Sequence, residues 1–546
     1  MRSRIWVFSI VLFLSLILGA CSSKESDSQA TESEKENAAE VKEQTLKINN
    51  FTEPSSLNPS LATDVWSSNI LLQTFEGLTR INQNGEPEEA MAETIDLSDD
   101  LLTYTFTLRK DAKWSNGDPV TMYDFEYAWK WVLNPDNLAQ YAYQLYYIKN
   151  AEAANKGEAS LDEVGIKVLD EQTLEVTLEN PTPFFLELTA FFTYFPINSE
   201  VAKNNPDWSK DVGDSYTSNG PFKMAIWEHQ NQIVLEKNEQ YWDKDTVKLE
   251  KIDMLMLNDS NTELNMFNSD ELHWAGAPTG SLPLDAIPAL QDEGNLEVAP
   301  TAGTYWYEFN LKKKPFNNTK IRKAFAYAID RKSIVENVTQ SAEIPATAIV
   351  PNSMIPENET GYFKDADIQE AKKLLEEGLE EEGYNSIAEL PVITLSYNTD
   401  PAQAKIAQAV QDMWKANLGV NVELSNEEWA VYYEGIINGD FEVARMGWTG
   451  DFNDPINFLE IFKEDGGNNH TGWMNEEYAS LLDQSALEPD PAKRKEILKQ
   501  AEAIIMDEMP VIPFHFKTSV YVKKENLKGV YVSGLGNVQY KWAYFE

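Results

Sequence analysis

The chain has 546 residues, too many for one compact core, so two to four domains are expected. Its 89 acidic against 45 basic side chains give a formal net charge of −44, which excludes a nucleic-acid partner, because phosphate contacts need a basic surface. Apolar residues at 42% and charged residues at 25% fit a soluble globular protein whose acidic excess solubilises its surface.

Residues 1–4 are a basic start, and residues 5–18 are an apolar stretch short for a membrane span. Leu18-Gly19-Ala20-Cys21 then resembles the bacterial lipobox, where cleavage precedes a cysteine that carries diacylglycerol. Residues 1–20 are therefore expected to be a lipoprotein signal peptide and Cys21, the only cysteine, the lipidation site. The alternative is an uncleaved anchor helix. Residues 21–44 are Ser/Glu/Lys-rich with almost no large apolar side chains, and read as a tether at the extracytoplasmic face of a cell membrane.

From Thr45 the pattern changes. Leu46-Lys47-Ile48 alternates as a strand, and residues 63–78 read as a helix begun at Thr63/Asp64 and stopped at Gly77. Tyr104, Phe106 and Leu108 share one strand face before an Asn116-Gly117 turn, and residues 123–133 read as an amphipathic helix. Strands are expected over 172–178 and around Asn219-Gly220-Pro221, and helices over 320–339 and 367–384. Residues 391–427 read strand–helix–strand with Gly419 ending the helix; a helix over 429–438 and the strand Phe441–Trp448 follow. The fold class is α/β or α+β with several domains.

Catalytic signatures are absent. The four histidines are scattered without HExxH spacing, and a lone cysteine makes a zinc site improbable. There is no G-x-S-x-G, Walker A or G-x-G-x-x-G motif, and residues 451–457 lack the EF-hand spacing. Carboxylate pairs carry no signal among 89 acids. A receptor rather than an enzyme is expected, with no cofactor and no metal.

Four stretches (residues 86–130, 218–242, 305–331 and 442–462) resemble, in order, the extracytoplasmic oligopeptide-binding proteins of ABC importers, solute-binding protein family 5. The resemblance spans roughly Thr45 to Glu546. It implies a two-lobed periplasmic-binding-protein-like fold (type II) of three domains, the first discontinuous, with a ligand cleft between the lobes. Domain I would be 45–76, 200–302 and 518–546; domain II 77–199; domain III 303–517. It also implies a monomeric receptor that takes short peptides to the permease and ATPase subunits of an importer. The rival within the superfamily is a receptor for a dipeptide, cell-wall peptide, nickel complex or oligosaccharide. Rivals of other kinds are a surface hydrolase with two carboxylates and a pheromone receptor.

A receptor indifferent to peptide sequence must hold the constant parts of a zwitterion. By resemblance, Asp451 would pair with the ligand's α-ammonium and Arg445 with the carboxylate of short peptides. Gly447 and Gly450 would leave the backbone bare for an added strand, with Trp448 and Thr449 beside it. The alternative is an Arg445–Asp451 pair bracing a turn. Trp429 matches a pocket-wall position, with core packing as its alternative, and Trp306 matches a tyrosine beside the ligand backbone. Asn468 and Tyr141 match polar pocket positions, and Glu53 one lining the cleft from domain I, with a solvated loop acid as its alternative. Relatives carry a cysteine pair at Gly303 and Thr449, a carboxylate-binding histidine at Gln403 and polar residues at Gly276-Ala277. Here no disulfide is possible there, Gln403 brings no charge, and the pocket is expected to be roomier or more apolar.

Overall fold

The computed structural model describes residues 44–546 apart from residue 214. The signal peptide, Cys21 and nearly all of the tether lie outside the described residues. Three sheets organise the rest. The first has four strands in the order Thr45–Asn49, Lys251–Leu255, Gln232–Lys237, Phe222–Glu228, the outer pair parallel with Ile48 opposite Met254. The second, antiparallel, has the order Ala92–Leu97, Thr103–Leu108, Thr173–Thr177, Ile166–Asp170. Its strand 103–108 alternates as expected, with Tyr104, Phe106 and Leu108 buried. The helix Met122–Leu133 starts at a Thr121–Asp124 capping box and buries Phe125, Trp129 and Val132.

The third sheet carries the site. Its main strands are β1 (Glu297–Phe309), β2 (Ile393–Asn398), β3 (Val422–Glu427), β4 (Val443–Thr449) and β5 (Val511–Lys523). Their spatial order is β5-β1-β4-β2-β3, with Trp274–Gly276 beyond β5. Strands β2 and β3 are parallel, so a crossover must join them. It is helix α1 (Pro401–Leu418), which starts at Pro401 under an Asp400 cap and stops at Gly419, φ +75°. Helix α2 (Trp429–Ile437) leads from β3 into β4.

The 13-residue strands β1 and β5 run antiparallel across both expected boundaries, 302/303 and 517/518. Their register slips just there: Pro300 faces Thr518 but Thr304 faces Phe516. A bulge of this kind bends and twists the ribbon locally.

The helix expected over 320–339 breaks in two places. Thr319–Tyr327 ends, Asp330 caps a new turn by accepting from Ser333 N (2.9 Å), and a π-turn follows over Val335–Thr339. The aspartate competes with the helix for its own backbone, which favours a fresh start.

Candidate ligand-binding site

Strand β4 pairs with β1 over its whole length, Tyr307 facing Arg445, Tyr305 facing Gly447 and Gly303 facing Thr449. On its other side β2 pairs only at Val443 and Ala444. Tyr432 of α2 donates its hydroxyl to the Arg445 carbonyl at 2.6 Å. Among the described residues no strand then lies beside Met446–Thr449, so an edge of main chain stands open for pairing.

Alternation puts Arg445, Gly447 and Thr449 on one face with Tyr305 and Tyr307. The Arg445 guanidinium lies 5.1 Å from the Tyr305 ring centre, and that ring stacks on His515 at 4.9 Å. The Tyr305 hydroxyl donates to Gln403 Oε1 at 2.5 Å, and burial pushes it up to about 12 against the pull of Arg445. Gln403 therefore acts on the tyrosine of this face. Gly447 is required by the sheet itself: a Cβ there would meet the Thr304 carbonyl oxygen at 2.7 Å. Gly450 is tight as well: a Cβ there would come within 3.3 Å of the Phe452 carbonyl oxygen.

Past β4 the chain turns so that Asp451 faces the aromatic segment 141–147. Burial raises the Asp451 carboxyl above its ordinary range, and burial together with the Asp451 charge pushes Tyr143 up to about 12. Asn457 fixes the turn, its Oδ1 accepting from Trp448 Nε1 at 2.6 Å and from Asp451 N at 3.4 Å. Phe452 stacks on Phe184 at 4.3 Å. A cleft of about 680 Å³ opens here between Tyr143, Tyr147, Trp448, Asp451 and Asn468.

The second aspartate of the motif has a different task. Asp454 accepts from Arg494 Nη1 and Nη2, at 2.5 and 2.8 Å, in a buried bidentate pair. Among the described residues neither Arg445 nor Asp451 takes part in an ion pair, with each other or with anything else. The Arg445–Asp451 pair weighed as the alternative is not formed among the described residues; a different pair, Asp454–Arg494, braces the turn.

The other expected positions divide. Trp429 is 49% exposed and stacks on Tyr433 at 5.3 Å, so it is not core. Tyr141 donates to the Thr63 carbonyl at 3.2 Å, packs on Phe191 and Phe192, and feels the Asp451 charge. Trp306 requires correction. It is 1% exposed, points to the sheet face opposite Arg445, and donates to the buried Glu308 at 3.1 Å. The ring that faces Arg445 is its neighbour Tyr305. Glu53 is held within the first sheet's surroundings, accepting from Trp227 Nε1 (3.0 Å) and Gln230 N (2.7 Å) and bonding His229 Nδ1 (2.7 Å). It is not a loose loop acid, and it is not among the groups around Asp451. Tyr305, Tyr143 and Asn457 were not singled out in the sequence. Strand parity with Arg445 points to Tyr305 once the register is known; nothing local marks Asn457.

Comparison with known proteins bears on the family of this chain. Residues 86–470 match the family described as bacterial extracellular solute-binding proteins, family 5 Middle. The oligopeptide-binding protein OppA of Bacillus subtilis is 55% identical over 549 residues, covering 100% of both chains. Among solved structures, the unliganded open form of the periplasmic murein tripeptide-binding protein MppA matches with a TM-score of 0.84 at 30% identity, over 92% of this chain and 98% of that one. The complex of Haemophilus influenzae OppA with RPPGFSPFR matches with 0.67, also at 30% identity, over 92% and 99%. At equal identity and nearly equal coverage, the score is higher with the unliganded open form than with the peptide complex. The α/β, two-lobed type II fold, the matched segment and the identity across the whole chain establish that this protein belongs to the bacterial extracellular solute-binding proteins of family 5.

Proposed function

We propose that this protein captures short peptides between its lobes and delivers them to an ABC-type peptide permease, held at the outer face of the cell membrane by a lipid on Cys21. Proteins of this family are transport receptors, not enzymes. One observation carries the peptide reading: the open edge Met446–Thr449 lies between a guanidinium and a carboxylate that have no ionic partner among the described residues. A peptide offers one ammonium, one carboxylate and a strand's worth of backbone between them. Asp451 takes the first, the β4 edge pairs with the backbone, and Arg445 takes the second when the ligand is short.

The expected domains fit a mechanism of closure. With domain I as 45–76, 200–302 and 518–546, domain II as 77–199 and domain III as 303–517, only β1 and β5 carry the third sheet across a boundary. The slip between Pro300 and Thr304 is then the hinge. An open arrangement receives peptide on domain III, which holds both Arg445 and Asp451, and contacts made only on closing bring the other lobe over it. The protein acts as a monomer. Native mass spectrometry of the purified protein tests the reading: co-purifying mixed peptides of a few residues are expected, and a single sugar or metal complex would overturn it.

A further inference from the structure

A second cation shares the face of Arg445. Lys517 lies on β5, two residues past His515, and its aliphatic stem crosses Gly303. A Cβ on Gly303 would sit 2.7 Å from Lys517 Cδ and 3.1 Å from Cγ. Gly303 pairs with Thr449, and Lys517 Nζ donates to Thr449 Oγ1 at 2.8 Å. The missing side chain thus gives the lysine a track that sets its ammonium on the end of β4, close to Asp451 in the chain.

The chain carries twice as many acids as bases (89 against 45), yet among the described residues Lys517, like Arg445, forms no ion pair. Tyr305 and Tyr307 of β1 face the cluster, as do Gln403 and the Asp400 cap at the start of α1; the Asp400 carboxylate is committed to Ala402 N and Gln403 N. Burial and the Arg445 charge hold Lys517 down at about 8, and burial with both cations holds His515 at about 3, so the imidazole is neutral. Arg445 Nε and His515 Nδ1 are buried without a hydrogen-bond partner. Partly dehydrated cations side by side call for an anion.

We propose that Lys517 is a second carboxylate-binding residue, which with Arg445 receives the α-carboxylate of peptides two or three residues long whose ammonium is held by Asp451. The proposal rests on the peptide-receptor reading. Along the chain Thr449, which holds the Lys517 ammonium, is two residues from Asp451 and Arg445 is six, so the shortest ligands meet Lys517 first. Lys517 supplies the charge that Gln403 lacks.

Calorimetric titration of the intact chain with randomised di- and tripeptide pools, each free or C-terminally amidated, tests this. Lys517→Met should weaken free peptides by about tenfold and leave the amides within about twofold, the size of one charge-assisted contact. Lys517→Arg should retain most of the affinity, while Gly303→Ala, which displaces the lysine stem, should reproduce the selective loss. Melting curves verify folding of each variant. Equal losses for free and amidated peptides would make Lys517 a brace for Thr449 and overturn the assignment, as would no loss. Wild type that binds longer peptides but no di- or tripeptide would also overturn it, whereas wild type that binds no peptide of any length would overturn the peptide-receptor reading itself.

Discussion

Arg445 and Asp451 lie six residues apart on one strand and turn, and they do not bond to each other. Their separation has a local cause. Asp454 satisfies Arg494, Asn457 holds the turn through Trp448 and the Asp451 amide, and Arg445 is drawn over Tyr305. The protein thus holds two opposite charges near one another in the chain, neither with an ionic partner among the described residues.

Asp451→Asn is expected to weaken peptide binding by about 2–4 kcal/mol, the size of a lost buried charge contact. N-acetylation of the peptide should weaken it similarly in the wild type and add little in the variant. Titration calorimetry of the four combinations checks the coupling. Additive losses would separate Asp451 from the ammonium.

Gly447→Ala should destabilise the fold by about 1–3 kcal/mol, since the new Cβ meets the Thr304 oxygen and must push β1 and β4 apart. Urea denaturation of the ligand-free protein measures this. An unchanged midpoint would mean that the glycine serves only the ligand.

Arg494→Met should cost about 3–5 kcal/mol, because it leaves the Asp454 carboxylate buried without its cation. Replacing both, Arg494→Met with Asp454→Leu, should recover much of that stability. Since Asp454 also accepts from Ile456 N (2.9 Å), the single variant should loosen the turn and lower peptide affinity as well. Parallel melts and titrations separate the two effects.

Glu187 makes stability pH-dependent in an unusual direction. It lines a small cavity beside Asp451, and burial with the Asp454 charge raises its carboxyl from the ordinary 4.5 to about 8. A group whose folded pKa is raised binds its proton more tightly when folded. Its contribution is full below pH 4.5 and is lost as pH rises through about 8. Unfolding free energy should therefore carry a falling component across that window, on the order of 3 kcal/mol after allowance for partial exposure. Glu187→Gln should remove it, and chemical denaturation at pH 5 and pH 9 would detect the difference.

Much of this architecture is legible in the sequence, because local rules agree with the fold. The Asp400 cap, Pro401 and Gly419 delimit α1, and the alternation of Tyr104, Phe106 and Leu108 defines a half-buried strand. The strand through Arg445 also follows from its pattern. What escapes is whatever depends on register. Trp306 and Tyr305 are adjacent in the chain, and only the pairing of Tyr305 with Gly447 decides which ring faces Arg445. Lys517 comes from a strand 68 residues beyond Thr449, so no local pattern brings them together. Glu53 is captured by Trp227 and Gln230, more than 170 residues away, which its own loop does not foretell.

The short pairing of β2 with β4 also bears on solubility. An exposed strand edge is a template for any passing strand, and proteins guard such edges against aggregation with charge, twist or cover. Here the edge is only four residues long, ends at the charges of Arg445 and Asp451, and is capped by Tyr432 at its start. The features that suit it to a short zwitterion thereby make it a poor seed for strand-by-strand growth of the protein upon itself.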